Sequence, residues 1–324
     1  MEHQHSTQWQ GKMLGRYAMI QLLGRGGMGE VWLAQDTTLR RQVAIKLLPS
    51  VVKTDSVYLR DFAYEARAAA ALEHPHILPV HDFGEQYVSH DEVITYLVTP
   101  YISSGSLRDR IRRSDGPLPT PEAMLYLRYA AGAIDYAHSQ NMLHRDIKPA
   151  NMLLQDDWLL LADFGLAKIL NNTTSRSRTH AGAGTPEYMA PEQAMGKAVP
   201  ASDRYSLATV AYQLFTGQVP FHADTPYELM IKQVREVPTS PRHFNSSIPV
   251  GVEQVLLKGL AKQPEERPTT CNTFVDELEN AWRGAMPREH DPDATMLAPW
   301  SKRWQSENVA YSPPDVPAPM LYLT

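Results

Sequence analysis

From Tyr17 to about Tyr101 apolar and polar residues alternate in short runs broken by Gly and Asp, as in Val31 to Ala34 and Val43 to Leu47. A period of two marks strands with one buried face, so this stretch predicts an antiparallel sheet. One segment breaks the rhythm: Ser56 to Leu72 is rich in Ala, carries Glu65 near its middle and predicts a helix. From about Ser106 helical spacing dominates, over Leu118 to Ser139, Ala201 to Thr216, Pro226 to Arg235, Gly251 to Leu260 and Thr270 to Trp282. The pattern predicts an α+β chain with a strand-rich lobe at 17–101 and a helical lobe at 102–283. Residues 1–16 read as an N-terminal extension. Residues 284–324 read as a flexible tail, because Pro287, Pro292, Pro299, Pro313, Pro314, Pro317 and Pro319 punctuate a stretch with little periodicity. Trp300, Trp304 and Tyr311 in that tail are either docked on the folded lobe or stray aromatics.

Composition narrows the function classes. With 324 residues, 43% of them hydrophobic, the chain can bury a substantial core. A net charge of -5 supplies no basic field of the kind that holds a nucleic-acid backbone. Cys271 is the only cysteine, which excludes an intrachain disulfide and a cysteine-based zinc site. The opening MEHQHSTQWQGK lacks an apolar stretch, and no later segment approaches the roughly 20 apolar residues of a membrane span. The expected location is the cytoplasm.

The candidate chemistry lies in three places. Gly24-Arg25-Gly26-Gly27-Met28-Gly29-Glu30-Val31 sits between two strand-like runs. Glycines there let backbone N–H groups approach phosphate oxygens, although a tight hairpin or a dinucleotide-binding turn uses glycines too. A dinucleotide turn needs a helix directly afterwards, whereas Val31-Trp32-Leu33-Ala34 continues as strand. Next, Val43-Ala44-Ile45-Lys46 carries one lysine in an apolar setting. Paired with Glu65 it would hold nucleotide phosphates; a purely structural ion pair is the alternative. The third place, His144-Arg145-Asp146-Ile147-Lys148-Pro149-Ala150-Asn151 followed by Asp163-Phe164-Gly165, is far more specific. One Asp can accept the proton of an attacking hydroxyl, while a second Asp and an Asn are oxygen donors suited to a hard cation on phosphates.

These motifs, with Ala190-Pro191-Glu192, make the chain resemble the eukaryotic-like (Hanks-type) serine/threonine protein kinases of bacteria over roughly Tyr17 to Trp282. Phrases such as LGRGGMGEVWLAQD, LEHPHILPVHDFG and GTPEYMAPEQ are similar to that group. The resemblance implies a two-lobed kinase fold and transfer of the γ-phosphoryl group of ATP to Ser or Thr hydroxyls of protein substrates. ATP and Mg²⁺ are the implied cofactors, with Mn²⁺ as an alternative ion. It implies Asp146 as catalytic base, with Lys148 on the γ-phosphoryl group and Thr185 bonded to both. Asn151 and Asp163 become metal ligands. Leu23 to Val31 would cover the phosphates and Lys46, paired to Glu65, would hold them. Val31, Ala44 and Leu153 would sandwich the adenine, Thr99 would guard the back of its pocket, and Tyr101 with Ile102 would form the hinge, where Pro100 replaces a common acidic residue. Glu192 would pair with Arg267, and Asp203 would brace the catalytic loop or act as a helix N-terminal carboxylate. Between Gly165 and Gly184 a basic, hydroxyl-rich stretch offers Ser177 and Thr179 as phosphorylation sites, ordered through Arg145 and filled by transient self-association in trans. A pseudokinase scaffold is the rival reading, opposed by retention of Lys46, Asp146, Asn151 and Asp163.

Overall fold

The computed structural model describes residues 9–26, 29–48, 51–52, 56–87, 92–165 and 186–285. Contacts divide the chain after Ala285, and every described residue falls in the first unit. The tail, Gly27, Met28 and the segment holding Ser177, Thr179 and Thr185 lie outside the described residues.

The first lobe is one antiparallel sheet of β1 (Met13–Leu14), β2 (Tyr17–Gly26), β3 (Gly29–Asp36), β4 (Arg41–Leu47), β5 (Val51–Val52), β6 (Asp82–Tyr87) and β7 (Glu92–Pro100). Its order is β1-β2-β3-β4-β7, with β5 and β6 also paired to β7. The two-residue period sorts the side chains by face. Val43, Ile45 and Leu47 of β4 are buried in a cluster with Trp32, Tyr17 and Leu14. Ala44 and Lys46 alternate to the opposite face, where the register sets them beside Thr99 and Leu97. On that face α1 (Ser56–Ala70) buries Tyr58, Phe62 and Ala66 against Leu48 and Leu97. Each fully buried side chain such as Ile45 or Phe62 contributes about 1.5–3 kcal/mol of hydrophobic free energy.

The sheet starts earlier than the sequence pattern implies. Trp9 and Leu14 are buried in the same cluster as Trp32, and β1 pairs with β2, so residues 9–14 belong to this lobe rather than to an extension. Two buried apolar residues five positions apart, one of them on a two-residue strand, are too few to register as a period.

The second lobe comprises α2 (Leu107–Arg112), α3 (Thr120–Ser139), the hairpin β8 (Met152–Gln155) and β9 (Trp158–Leu161), α4 (Pro191–Ala194), α5 (Pro200–Thr216), α6 (Pro226–Arg235), α7 (Pro241–Phe244), α8 (Val250–Gly259) and α9 (Cys271–Ala285). Its centre is α5, buried nearly all round. Pro200 opens it at a position where the missing N–H costs nothing, and Gly217 at φ 76° closes it in the left-handed region. Asp135 of α3 accepts the N–H groups of Cys271 and Asn272 at 2.9 and 2.8 Å, so a carboxylate caps the positive end of α9. No helix among the described residues is long and apolar enough to cross a membrane.

Two connections join the lobes. One is the strand end at Pro100 running into Tyr101 and Ile102. The other is the segment between α1 and β6, where Ile77 bridges Leu161 and His76 stacks on Tyr129 with ring centroids 3.9 Å apart. His76 Nδ1 donates to Leu159 O at 2.9 Å, and Trp158 Nε1 donates to Pro75 O at 3.0 Å.

Candidate active site

The β8–β9 hairpin creates the centre of the site. Its register pairs Met152 with Leu161, and Ala162 N donates to Asn151 O at 2.8 Å. Asn151, just before one strand, and Asp163, just after the other, are therefore neighbours although 12 positions apart in sequence. Asn151 Nδ2 donates to Asp146 O at 2.8 Å and to Asp146 Oδ2 at 2.9 Å, which commits the amide nitrogen and fixes which way the amide oxygen faces. Lys148 Nζ donates to Asp146 Oδ1 at 2.9 Å. One carboxylate thus meets one ammonium and one amide inside a single turn.

Buried groups hold that loop. His144 is fully buried; its Nδ1 accepts from Asp146 N at 3.2 Å and its Nε2 donates to Ala162 O at 2.8 Å. Those two bonds fix the neutral tautomer with hydrogen on Nε2, and burial pushes the ring's pKa down. Asp203 of α5 accepts His144 N at 2.9 Å, Arg145 N at 2.8 Å and His138 Nε2 at 2.8 Å. Burial opposes its ionisation, but the His138 hydrogen bond and the charges around it outweigh that and keep its carboxyl below the usual range. Asp203 fills both roles open to it in the sequence: these contacts brace the loop, and its carboxylate stands in the first turn of α5. Arg145 and Asp163 both take positive φ, 67° and 70°, a region costing a non-glycine residue about 1 kcal/mol or more; the bond from Arg145 N to Asp203 holds the first, and the ion pair with Lys46 engages the second.

A cavity of about 400 Å³ opens beside this centre. Leu23, Gly24 and Val31 line it from the β2–β3 hairpin, Ala44 and Lys46 from β4, Thr99 to Ser103 from the hinge, and Leu153, Asn151 and Asp163 from below. Arg25, Gly26, Gly29 and Glu30 share the hairpin but lie outside that lining. Arg25 Nε donates to Glu30 Oε1 at 2.9 Å across the turn, and Glu30 Oε2 accepts from Trp32 Nε1 at 2.9 Å. The motif glycines divide by cause. Gly29, at φ 108°, would put a Cβ 1.9 Å from Leu47 O and so serves sheet packing, whereas Gly24 and Gly26 have open space where a Cβ would be.

Lys46 Nζ meets Asp163 Oδ2 at 2.6 Å. At its positive φ Asp163 turns its carboxylate into the cavity beside Lys46. Glu65 is buried with its carboxylate beside Gly165, where a Cβ would lie 3.3 Å from Oε2. Burial resists ionisation of Asp163, yet the Lys46 ammonium holds its carboxyl below the usual range.

Beneath the site Glu192 of α4 and Arg267 form a buried bidentate pair, Nη1 to Oε1 at 2.7 Å and Nη2 to Oε2 at 2.8 Å. Three other positioning residues carry no motif signal. Gln193 Nε2 donates to Arg145 O at 2.6 Å, Gln233 Nε2 to Glu187 O at 2.7 Å, and His138 binds Asp203. A polar residue at a core-facing position of a helix is the one cue that could have found them.

Residues 17–278 match the family model described as "Protein kinase domain". The chain belongs to the protein kinase family. It is 40% identical over 275 residues to the serine/threonine-protein kinase PknB of Mycobacterium leprae, an alignment covering 84% of this chain and 44% of that protein. It is 35% identical over 273 residues to the serine/threonine-protein kinase PrkC of Bacillus subtilis, covering 84% and 41%. The kinase domain of Mycobacterium tuberculosis PknI superposes with a TM-score of 0.67 at 30% identity, covering 84% of this chain and 98% of that one. The chain spans less than half the length of the curated relatives it matches.

Proposed function

We propose that the chain is an ATP-dependent protein serine/threonine kinase. The observation that carries this reading is the shared cavity of Lys46, Asp163 and Asn151 beside an Asp146 carboxylate held by Lys148 and Asn151. The donor set fits the implied cofactors: Asn151 Oδ1 and the Asp163 carboxylate are hard oxygen donors, and a Mg²⁺ ion bound to phosphates needs only one or two protein ligands. Asn151 and Asp163 would hold Mg²⁺ (or Mn²⁺), which would supply charge neutralisation at the phosphates of ATP.

The chain's own residues then have separate tasks. Val31, Ala44 and Leu153 enclose the adenine, Thr99 limits its depth, and the backbone of Pro100 to Ile102 supplies polar edges. Gly24 and Gly26 leave room for phosphate oxygens against backbone N–H groups. Lys46 and Lys148 oppose phosphate charge. Asp146 accepts the proton of the acceptor hydroxyl and orients its oxygen, a positioning task that suits the loose transition state of phosphoryl transfer. Glu65 is the second carboxylate available to Lys46 from α1. Thr185, outside the described residues, is the position that the family resemblance would set against Asp146 and Lys148 on the acceptor side, and with Lys148 it would favour Ser and Thr over Tyr.

Ser177 and Thr179 are the proposed autophosphorylation sites, filled in trans. Arg145 is their receptor: its Nε is buried without a hydrogen-bond partner among the described residues, and phosphate is the ligand a guanidinium pairs best. The deciding experiment incubates the chain with labelled ATP, Mg²⁺ and a generic protein substrate, followed by phosphoamino-acid analysis. Phosphoserine or phosphothreonine is the expected product; no label, or phosphotyrosine alone, overturns the reading.

A further inference from the structure

Arg108 stands where the fold gains little from a cation. It is the second residue of α2, at the positive end of the helix dipole and four positions before the like-charged Arg112, and both placements disfavour positive charge. The other central charges of α2 are committed. Asp109 accepts Ser106 N at 2.9 Å and Ser106 Oγ at 2.6 Å, and Arg110 holds Glu122 through two bonds of 2.7 and 2.8 Å. Arg108 is exposed and has no carboxylate at ion-pair distance among the described residues. Asp109 feels its charge but is already held by Ser106 and also faced by Arg113.

Arg108 nevertheless lines the catalytic cavity together with Ala150 and Asn151, on a helix packed against the Pro149–Asn151 turn. Its charge also has a minor influence at the Tyr188 hydroxyl, in the Pro186–Tyr188 turn that leads into α4. The guanidinium therefore lies at the cavity lining and within electrostatic reach of that turn. The anions of the centre are already matched, Asp146 by Lys148 and Asp163 by Lys46. An uncompensated, fork-shaped cation remains at the mouth, and a carboxylate is its natural complement.

We propose that Arg108 is a specificity-determining residue: its guanidinium binds a carboxylate side chain of the protein substrate beside the acceptor hydroxyl, so acceptors flanked by Asp or Glu are phosphorylated preferentially. The inference rests on the kinase reading above and adds the substrate class.

The test uses the full chain with Mg²⁺ and ATP on Ser and Thr peptides whose flanking positions are replaced one at a time by Ala, Glu or Lys. With the parent, Glu at one or more flanking positions should raise kcat/KM about tenfold over Ala, mainly through KM, the scale of a hydrogen bond to a charged group. Arg108→Gln should remove that preference, and Arg108→Glu should shift it to Lys, with thermal unfolding confirming that both variants fold. The proposal is overturned if the parent has no acidic preference or if Arg108→Gln retains it. It is equally overturned if the variants only raise the KM of ATP to the same extent with every peptide, which would make Arg108 a nucleotide contact. Failure of the parent to phosphorylate any peptide or itself would sink the kinase reading and this inference with it.

Discussion

Replacing Arg267 by Met tests how the floor of the site is held. Arg267 has no exposed side-chain surface, Glu192 only 9%, and all five guanidinium N–H groups have partners: Glu192 twice, and the carbonyls of Ala201, Lys262 and Ala261. Methionine fills similar space but leaves the Glu192 carboxylate buried with Ser202 Oγ, at 2.7 Å, as its remaining partner. Breaking a buried pair from one side costs about 3–5 kcal/mol, because a charge stays behind without compensation. At roughly 2.1 cal/mol/K of unfolding entropy per residue, a domain of this size should lose about 5–9 °C of Tm. The double variant Glu192→Gln, Arg267→Met removes the stranded charge and should recover most of that loss. Burial works against ionisation of Glu192, but the hydrogen bonds from Arg267 and Ser202 prevail and hold its carboxyl below the usual range. A depressed folded-state value means the stabilisation is complete above the unfolded carboxyl pKa of about 4.3 and disappears as pH falls through the lower folded value. The parent and Arg267→Met should therefore converge in acid. Thermal unfolding followed by intrinsic fluorescence at pH 7 and in mild acid is the assay. A single variant within about 2 °C of the parent, or a double variant no more stable than the single, refutes the reasoning.

Asp163→Asn and Lys46→Met should each lower phosphoryl transfer by at least about 100-fold in a folded protein, since each removes a charge aimed at the phosphates; near-parental rates in either would remove that residue from the mechanism. The Ser177→Ala, Thr179→Ala double variant should not gain activity with time and enzyme concentration as the parent does on incubation with ATP, which mass spectrometry alongside the assay can follow. Burial pushes the His76 ring down to about 4, so the unfolded chain takes up its proton first, and stability should fall as pH drops from about 6.5 toward 4. His76→Phe, which keeps the stacking on Tyr129, should flatten that decline; equal urea-midpoint shifts between pH 7 and pH 5 in variant and parent would show that His76 is not its source.

Much of this architecture was legible because the periods are strong. The period-two run from Val43 to Leu47 declares a strand, and Pro226 to Arg235 is bounded by a proline at one end and cations toward the other. The short β8–β9 hairpin was not legible. Its residues, MLLQDDWLLL, form two apolar runs that periodicity cannot assign, and its importance lies in a register that sequence does not display. α2 is too short for a helical period to declare itself. The motif residues of the site were legible as types at fixed spacing, but the contact of Lys46 with Asp163 was not, because it depends on where a positive-φ residue points its carboxylate. Gln193 and Gln233 were invisible for another reason: each acts through a backbone carbonyl, and any residue has one.

The three bonds that Asp203 accepts also say something about motion. His144 and Arg145 are loop residues, yet their amide protons are held by a carboxylate rooted in α5, the most buried helix of the lobe. Those amides cannot open to solvent without either breaking bonds to a buried charge or unfolding the helix that carries it. Their hydrogen exchange should therefore be governed by the cooperative opening of the helical core rather than by local fraying. The loop proposed to carry the chemistry is thereby given the lifetime of the core, so heat should remove phosphoryl transfer and core structure together rather than one before the other.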